Sequence, residues 1–132
     1  MTKWIVPCNP KYYDVEGAFA SLPRVEWKQS NPNICEGDVV YLYVGSPIRA
    51  IKYKCNVTKA NLSTTVIDDS AFVIDGDVYS TYPRHMELEL IKKYDDNVFS
   101  YAVLSSHGMK GRVQCPRRIT DELDEFIKAK DN

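Results

Sequence analysis

The chain of 132 residues reads as one α+β domain spanning residues 1–132: a small, mixed, mostly antiparallel β-barrel of five to seven strands with three short helices packed around it. Three observations predict this. Apolar residues recur mainly with a period of two or in short continuous runs, the marks of half-buried and fully buried strands. Helical spacing appears only in brief stretches scattered between those strands, with no strand–helix–strand repeat and no linker. Hydrophobic residues make up 44% and charged residues 27% of the chain, enough apolar surface for one sizeable core at this length.

Taken in order, "KWIVP" (Lys3 to Pro7) predicts a first strand, closed by "CNP". "DVEGAFASL" places Val15, Ala18, Phe19 and Leu22 at helical spacing, and Pro23 ends that helix. "EWKQSNPN" is polar enough to predict a loop, with a turn at its Asn-Pro pair. Val39 to Val44 runs without a polar residue, as a strand buried on both faces does. "AIKYKCNVT" then alternates, with Ile51, Tyr53, Cys55 and Val57 on one face and Lys52, Lys54 and Asn56 on the other, predicting an antiparallel partner for its predecessor.

Asn61 to Pro83 shows only strand-like fragments and an Asp75-Gly76 turn. "HMELELIKKY" alternates again, directing Met86, Leu88 and Leu90 inward and leaving Glu87 and Glu89 on a solvated face. "FSYAVLSSHG" predicts a helix ended by Gly108, and "GRVQCPRRI" a short strand or extended loop. "TDELDEFIKAKD" closes the chain as a helix. Thr120 is its N-cap, Asp121 and Glu122 lie near the positive end of its dipole, and Leu123, Phe126 and Ile127 form its buried stripe.

Composition excludes several classes of function. No apolar run approaches the ~20 residues of a spanning helix, and "MTKWIVPC" lacks the apolar core of a signal peptide, so a cytoplasmic protein without membrane contact is expected. Cys8, Cys35, Cys55 and Cys115 form no C-x-x-C pair, which argues for free structural thiols and against a thiolate metal site. With a net charge of -1, the chain lacks the global cationic excess that drives binding through phosphates alone. Any nucleic acid must be held by a local patch and a specific pocket.

Catalytic constellations are weak. No G-x-S-x-G elbow is present, and His85 and His107 stand beside no evident nucleophile, His107 fitting a helix C-terminus instead. Asp68, Asp69, Asp75, Asp77, Glu87 and Glu89 are dense enough to consider as a metal-dependent nuclease site, but a solvated strand face and a turn account for them. "VGSP" is too short to cradle a phosphate. Catalytic residues, metal ligands and cofactors are therefore expected to be none. Aromatic recognition fares better. The chain has 9 tyrosines and 2 tryptophans, flat faces with polar tips of the kind on which bases stack. Trp27 stands out because Lys28, Gln29 and Ser30 accompany it.

The order of these features resembles the EVE domain, a member of the PUA-like superfamily. The resemblance rests on "KWIVPCNPKYY" with Trp4, Asn9 and Pro10, on "EWKQSN", on Gly37-Asp38 leading into "VVYLYVGSP", on "AIKYKCNVT", and on "LSSHGMKGRVQCPRRIT" before the last helix. It covers nearly the whole chain in order. Lys28-Gln29 stands where the family often has an arginine-asparagine pair, and Gly45-Ser46 where it has histidine-serine, as in a divergent, stand-alone bacterial-type branch.

The resemblance implies a barrel-like fold whose pocket takes a flipped, modified nucleobase from DNA or, second, RNA. In that reading Trp27 is the stacking plate, with Tyr43 beside it. Gln29 and Ser30 meet the base edge, Asn9 closes the pocket, and Gly45 and Ser46 let backbone approach the ligand. Lys28, Arg117 and Arg118 meet flanking phosphates. The expected partner is DNA or RNA with a modified base, together with a restriction or RNA-modification protein, and the chain is expected to be a monomer or weak dimer. Two other readings stand beside it: a metal-dependent enzyme acting on nucleic acid through the Asp68–Asp77 segment, and a protein-interaction subunit with no ligand.

Overall fold

The computed structural model describes residues 1–11, 13–63 and 84–131. Its elements are β1 (Lys3–Cys8), α1 (Val15–Ser21), β2 (Arg24–Lys28), β3 (Val39–Val44), β4 (Ala50–Leu62), β5 (His85–Lys93), α2 (Tyr101–Ser106), β6 (Arg117–Arg118) and α3 (Asp121–Asp131). The strands form one sheet in the order β2-β5-β4-β3-β1-β6. Among the described residues that sheet stays open, with β2 and β6 at opposite edges. The Asp75-Gly76 turn and the acidic residues Asp68, Asp69, Asp75 and Asp77 lie outside the described residues.

β3 is buried along its whole length because both faces of the sheet are covered. Val40, Leu42 and Val44 face a core shared with Trp4, Val6, Val25, Trp27, Tyr53, Met86 and Leu88, against which Phe19 of α1 packs. Val39, Tyr41 and Tyr43 face a second core with Ile5, Ile51, Phe99, Leu104, Leu123 and Ile127. The continuous apolar run is thus two period-two patterns superposed, one for each core. Helix faces close both sides: α1 covers the first core, and α2 and α3 the second.

β3–β4, β4–β5 and β2–β5 are antiparallel, as the alternating patterns require. β1 is the exception, running parallel to β3 from Lys3↔Val39 to Cys8↔Val44. The intervening α1 and β2 supply the long crossover that a parallel pair needs. Nothing in the apolar pattern of "KWIVP" distinguishes that arrangement from an antiparallel one.

Two expectations are corrected. "EWKQS" is not a polar loop up to Lys28, because Arg24–Lys28 is an edge strand paired to β5 with Trp27 opposite Met86. It alternates Val25 and Trp27, which face the core, with the polar Arg24, Glu26 and Lys28, of which Glu26 is buried as well. Nor is the Glu87 face solvated. Glu87 is only 3% exposed, and its Oε1 accepts from Thr58 Oγ1 at 2.9 Å and lies 3.4 Å from Arg24 Nη1. Those partners come from β4 and β2, so no pattern within β5 could announce them.

Two carboxylates fasten the ends of the chain. Asp38 accepts the Trp4 indole N–H at 2.9 Å and the backbone N–H groups of Thr2 and Cys35, both at 3.0 Å. Asp131, in the last turn of α3, lies 2.7 Å from Lys92 Nζ and 3.3 Å from Lys54 Nζ. At the start of that helix Leu123 N–H donates to the Thr120 hydroxyl at 3.3 Å. All four cysteines are free, Cys8 and Cys55 buried and Cys35 and Cys115 exposed. No helix among the described residues is long and apolar enough to cross a membrane.

Candidate nucleic-acid interface

β1 and β3 end side by side, and Gly45 N–H donates to Cys8 C=O at 2.9 Å just beyond them. The chain departs in two directions from these strand ends, and a groove opens between the departures. Its first half, about 420 Å³, is lined by Pro7, Cys8, Asn9, Lys11, Lys28, Tyr43, Gly45, Ser46, Val113 and Gln114. Its second half, about 390 Å³, adds Arg49, Tyr101 and Arg112 and shares Tyr43, Gly45, Ser46, Val113 and Gln114 with the first. Each half falls within the ~300–1,000 Å³ usual for small-ligand sites.

Tyr43 is the hinge of this groove. It ends β3 with only 6% of its surface exposed, and its ring forms part of both halves. Burial raises its phenol above the ordinary tyrosine value, and the Arg49 guanidinium beside the hydroxyl partly offsets that. The phenol is therefore protonated at neutral pH and can donate a hydrogen bond. On the floor, burial pushes the Cys8 thiol up to about 12, so it offers a small, uncharged surface. Asn9 Oδ1 accepts from Lys11 N–H at 2.9 Å, a turn that sets the Asn9 side chain at the rim.

Charge decides what such a groove can hold. Lys11, Lys28, Arg49 and Arg112 line it, and no carboxylate is among the described lining residues. A neighbouring cavity of about 480 Å³ is larger, but Asp14, Glu16 and Asp96 line it with Lys52 as its lysine. That lining disfavours a phosphate.

Of the residues predicted from sequence, Asn9, Lys28, Tyr43, Gly45 and Ser46 are brought together in the groove. A Cβ on Gly45 would stand 3.6 Å from the Cys8 carbonyl, an ordinary contact. Trp27 is corrected: it is 1% exposed in the main core, with the Tyr13 ring edge-on at 5.0 Å. Its indole faces are consumed by packing, and it does not line the groove.

Gln29 is corrected as well. It is fully buried; its Nε2 donates to the carbonyls of Asn31 and Ile34 and to Asn61 Oδ1, while Oε1 accepts from Asn61 N–H at 2.8 Å. Its amide ties the 29–34 loop to β4 and has no edge left to read a base. Ser30 is exposed but outside the groove lining. Arg117 and Arg118 lie on β6 against β1. Arg117 Nη1 donates to Lys110 C=O at 2.6 Å, and the Arg118 guanidinium covers the Trp4 ring at 5.4 Å. Both arginines therefore stand apart from the groove.

Sequence reasoning passed over Lys11, Arg49, Tyr101, Arg112 and Gln114. The signal for Arg49 was present in "GSPIRA", a cation in the tight turn that leaves the most buried strand. The others come from segments whose convergence only the topology reveals.

No family model matches the chain, and no curated protein matches it in sequence. Solved structures do. A protein of Pseudomonas syringae superimposes with a TM-score of 0.67 at 16% identity, over 96% of this chain and 97% of that one. Human THYN1, solved in complex with 5-methylcytosine-containing DNA, gives 0.66 at 11% identity, over 100% and 99%. ASCH from Zymomonas mobilis gives 0.61 at 7% identity, over 97% and 94%. The chain shares the fold of these proteins. At these identities the likeness establishes architecture, and the chemistry of this domain must be argued from its own groove.

Proposed function

We propose that the chain is a non-catalytic nucleic-acid-binding module whose groove accepts one nucleobase turned out of its stack and carrying a modification, with DNA favoured over RNA. A single observation carries this reading. A chain of net charge -1 gathers Lys11, Lys28, Arg49 and Arg112 around the Tyr43 side chain at the carboxyl ends of its parallel strands. The half bounded by Pro7, Cys8, Asn9 and Tyr43 takes the base, and the Tyr43 hydroxyl and the Asn9 amide address its edge. Cations at the rim hold flanking phosphates, fixing position while the pocket supplies selectivity.

The complex of THYN1 with 5-methylcytosine-containing DNA supports the reading, since a protein of the same fold binds DNA that carries a modified base. Flipping costs a few kcal/mol, which the edge contacts and the rim cations must offset. Affinity is therefore modest unless a modification fills the pocket. The protein acts as a monomer or weak dimer in the cytoplasm, alongside a restriction or RNA-modification system.

The test is fluorescence anisotropy with labelled oligonucleotides, unmodified or carrying 5-methylcytosine, in DNA and RNA forms. Tighter binding to one modified strand, lost in Tyr43→Ala and Asn9→Ala, is the expected outcome. Equal binding to every strand, governed by salt alone, would remove the base pocket.

A further inference from the structure

We propose that the half of the groove formed by Arg49, Tyr101 and Arg112 is a phosphodiester-binding subsite, with Arg49 held for that task in a backbone conformation that costs the fold stability. The inference rests on the nucleic-acid reading of the groove and assigns the ligand atoms that this half takes.

Arg49 has φ 53°, in the left-handed region, which L side chains other than Asn and Asp rarely enter without strain. Two backbone hydrogen bonds hold it there. Its N–H donates to Gly45 C=O at 3.3 Å, and its C=O accepts from Tyr101 N–H at 2.8 Å. Ala50 forms an antiparallel bridge with Ser100 alongside. A glycine or asparagine would adopt this conformation at lower cost, so the backbone gives no reason for arginine. The reason lies in the side chain.

The guanidinium of Arg49 sits 4.7 Å over the Tyr101 ring. One of its donors meets the Tyr43 hydroxyl, and stacking orders the guanidinium while leaving the remaining in-plane N–H donors for an acceptor. Arg112 lines the same half from the opposite segment. Neither arginine is paired with a carboxylate among the described residues, although Lys3, Arg24, Lys52, Lys54, Lys59, Lys92, Lys93 and Lys128 all are. In a chain with 18 acidic residues, two unpaired arginines sharing an acid-free cavity form an anion site. Two planar forks facing one concavity match the oxygens of a phosphate.

The first arm measures anisotropy of a labelled single-stranded oligonucleotide across a salt series, with melting temperatures of each variant. Arg49→Gln should weaken binding roughly tenfold at low salt, and should flatten the plot of log affinity against log salt by about 0.7 for one lost phosphate contact. Arg49→Lys should keep the slope but not the full affinity, because it retains charge without the stacked fork. Arg49→Gly should bind as poorly as Arg49→Gln yet melt at a higher temperature than the parent, since glycine relieves the left-handed strain. A merely structural arginine would not separate those two readouts.

The second arm titrates inorganic phosphate and follows the Arg49 and Arg112 side-chain resonances by NMR. If the parent binds strands and Arg49→Gln leaves slope and affinity unchanged, the subsite is overturned while the groove reading survives. If no strand binds but phosphate shifts both arginines, the subsite stands and the base-reading proposal falls. Silence in both arms overturns both.

Discussion

Asp38 shows how one buried side chain links fold to pH. Burial alone would raise its carboxyl, but the N–H groups of Cys35 and Thr2, the Trp4 indole and the N-terminal charge hold it below the usual carboxylate range. A depressed folded-state value means that the contribution is complete above the ordinary aspartate pKa of about 3.9 and is lost as pH falls through the lower folded value. Asp38→Asn should therefore lower stability by about 1–3 kcal/mol at neutral pH and blunt the acid limb of the stability profile below pH ~4. Chemical denaturation at a series of pH values checks both. An unchanged acid limb would show that another carboxylate governs it.

The cysteines make a second prediction at this scale. Burial pushes Cys8 up to about 12 and raises Cys55 further, so neither forms thiolate at neutral pH. A thiol reagent should modify Cys35 and Cys115, the exposed pair, in the native protein and reach all four only after denaturation. Mass spectrometry of tryptic peptides distinguishes the sites. Early labelling of Cys8 would mean that the groove floor opens more than its burial implies.

At the scale of the element, strands whose two faces differ were legible and those completed by distant partners were not. β4 shows its alternation from Lys52 onward, with Tyr53, Cys55 and Val57 buried in the first core and Lys52, Lys54, Asn56 and Thr58 partly exposed, while Ile51 lies in the second core. β2 escaped recognition because only Val25 and Trp27 of its five residues bring apolar surface, and the hydrophobic anchor Met86 lies on β5. Trp27 was conspicuous for its polar neighbours, yet a strand places alternate residues on opposite faces, so Lys28 and Trp27 never share an environment. The same rule put Lys28 in the groove while burying its neighbour.

α3 offers an element-scale prediction. Its apolar stripe of Leu123 and Ile127 is buried, and Asp131 anchors the far end to Lys54 and Lys92 on β4 and β5. Lys92 is 47% exposed in its side chain, so water weakens that pair. Asp131→Ala should cost only about 1 kcal/mol globally, but hydrogen exchange should quicken in the last turn of α3 before anywhere else in the helix. Uniform acceleration along the helix would mean that the ion pairs support its docking as a whole.

For the whole molecule, the balance of charge matters less than its distribution. The net value of -1 argues against tight, indiscriminate association with nucleic acid, while the acid-free groove argues for a localised one. Lys11 and Arg112 are exposed and face the groove from opposite segments. Replacing both with glutamate should reduce oligonucleotide affinity by more than about tenfold and leave the melting temperature nearly unchanged, as scattered surface substitutions do. Anisotropy beside differential scanning fluorimetry reads both. Retained affinity would move the interface to another face.

The amino-acid order by itself determined which side of most strands meets a core, where the described helices lie, and that the fold is an α+β domain. Those features are local: a period of two, a period of 3.6 and a cap are written within a few neighbouring residues. Only the tertiary structure decided that Trp27 and Gln29 belong to the interior and that Lys11, Arg49 and Arg112 join Lys28 around one groove. Those side chains stand on a turn after β1, the end of β2, the turn leaving β3 and the segment before β6. Lys11 and Arg49 meet because β1 lies parallel to β3 and both follow the carboxyl ends of those strands, and a crossover of that kind leaves no periodicity in sequence from which the meeting could be read.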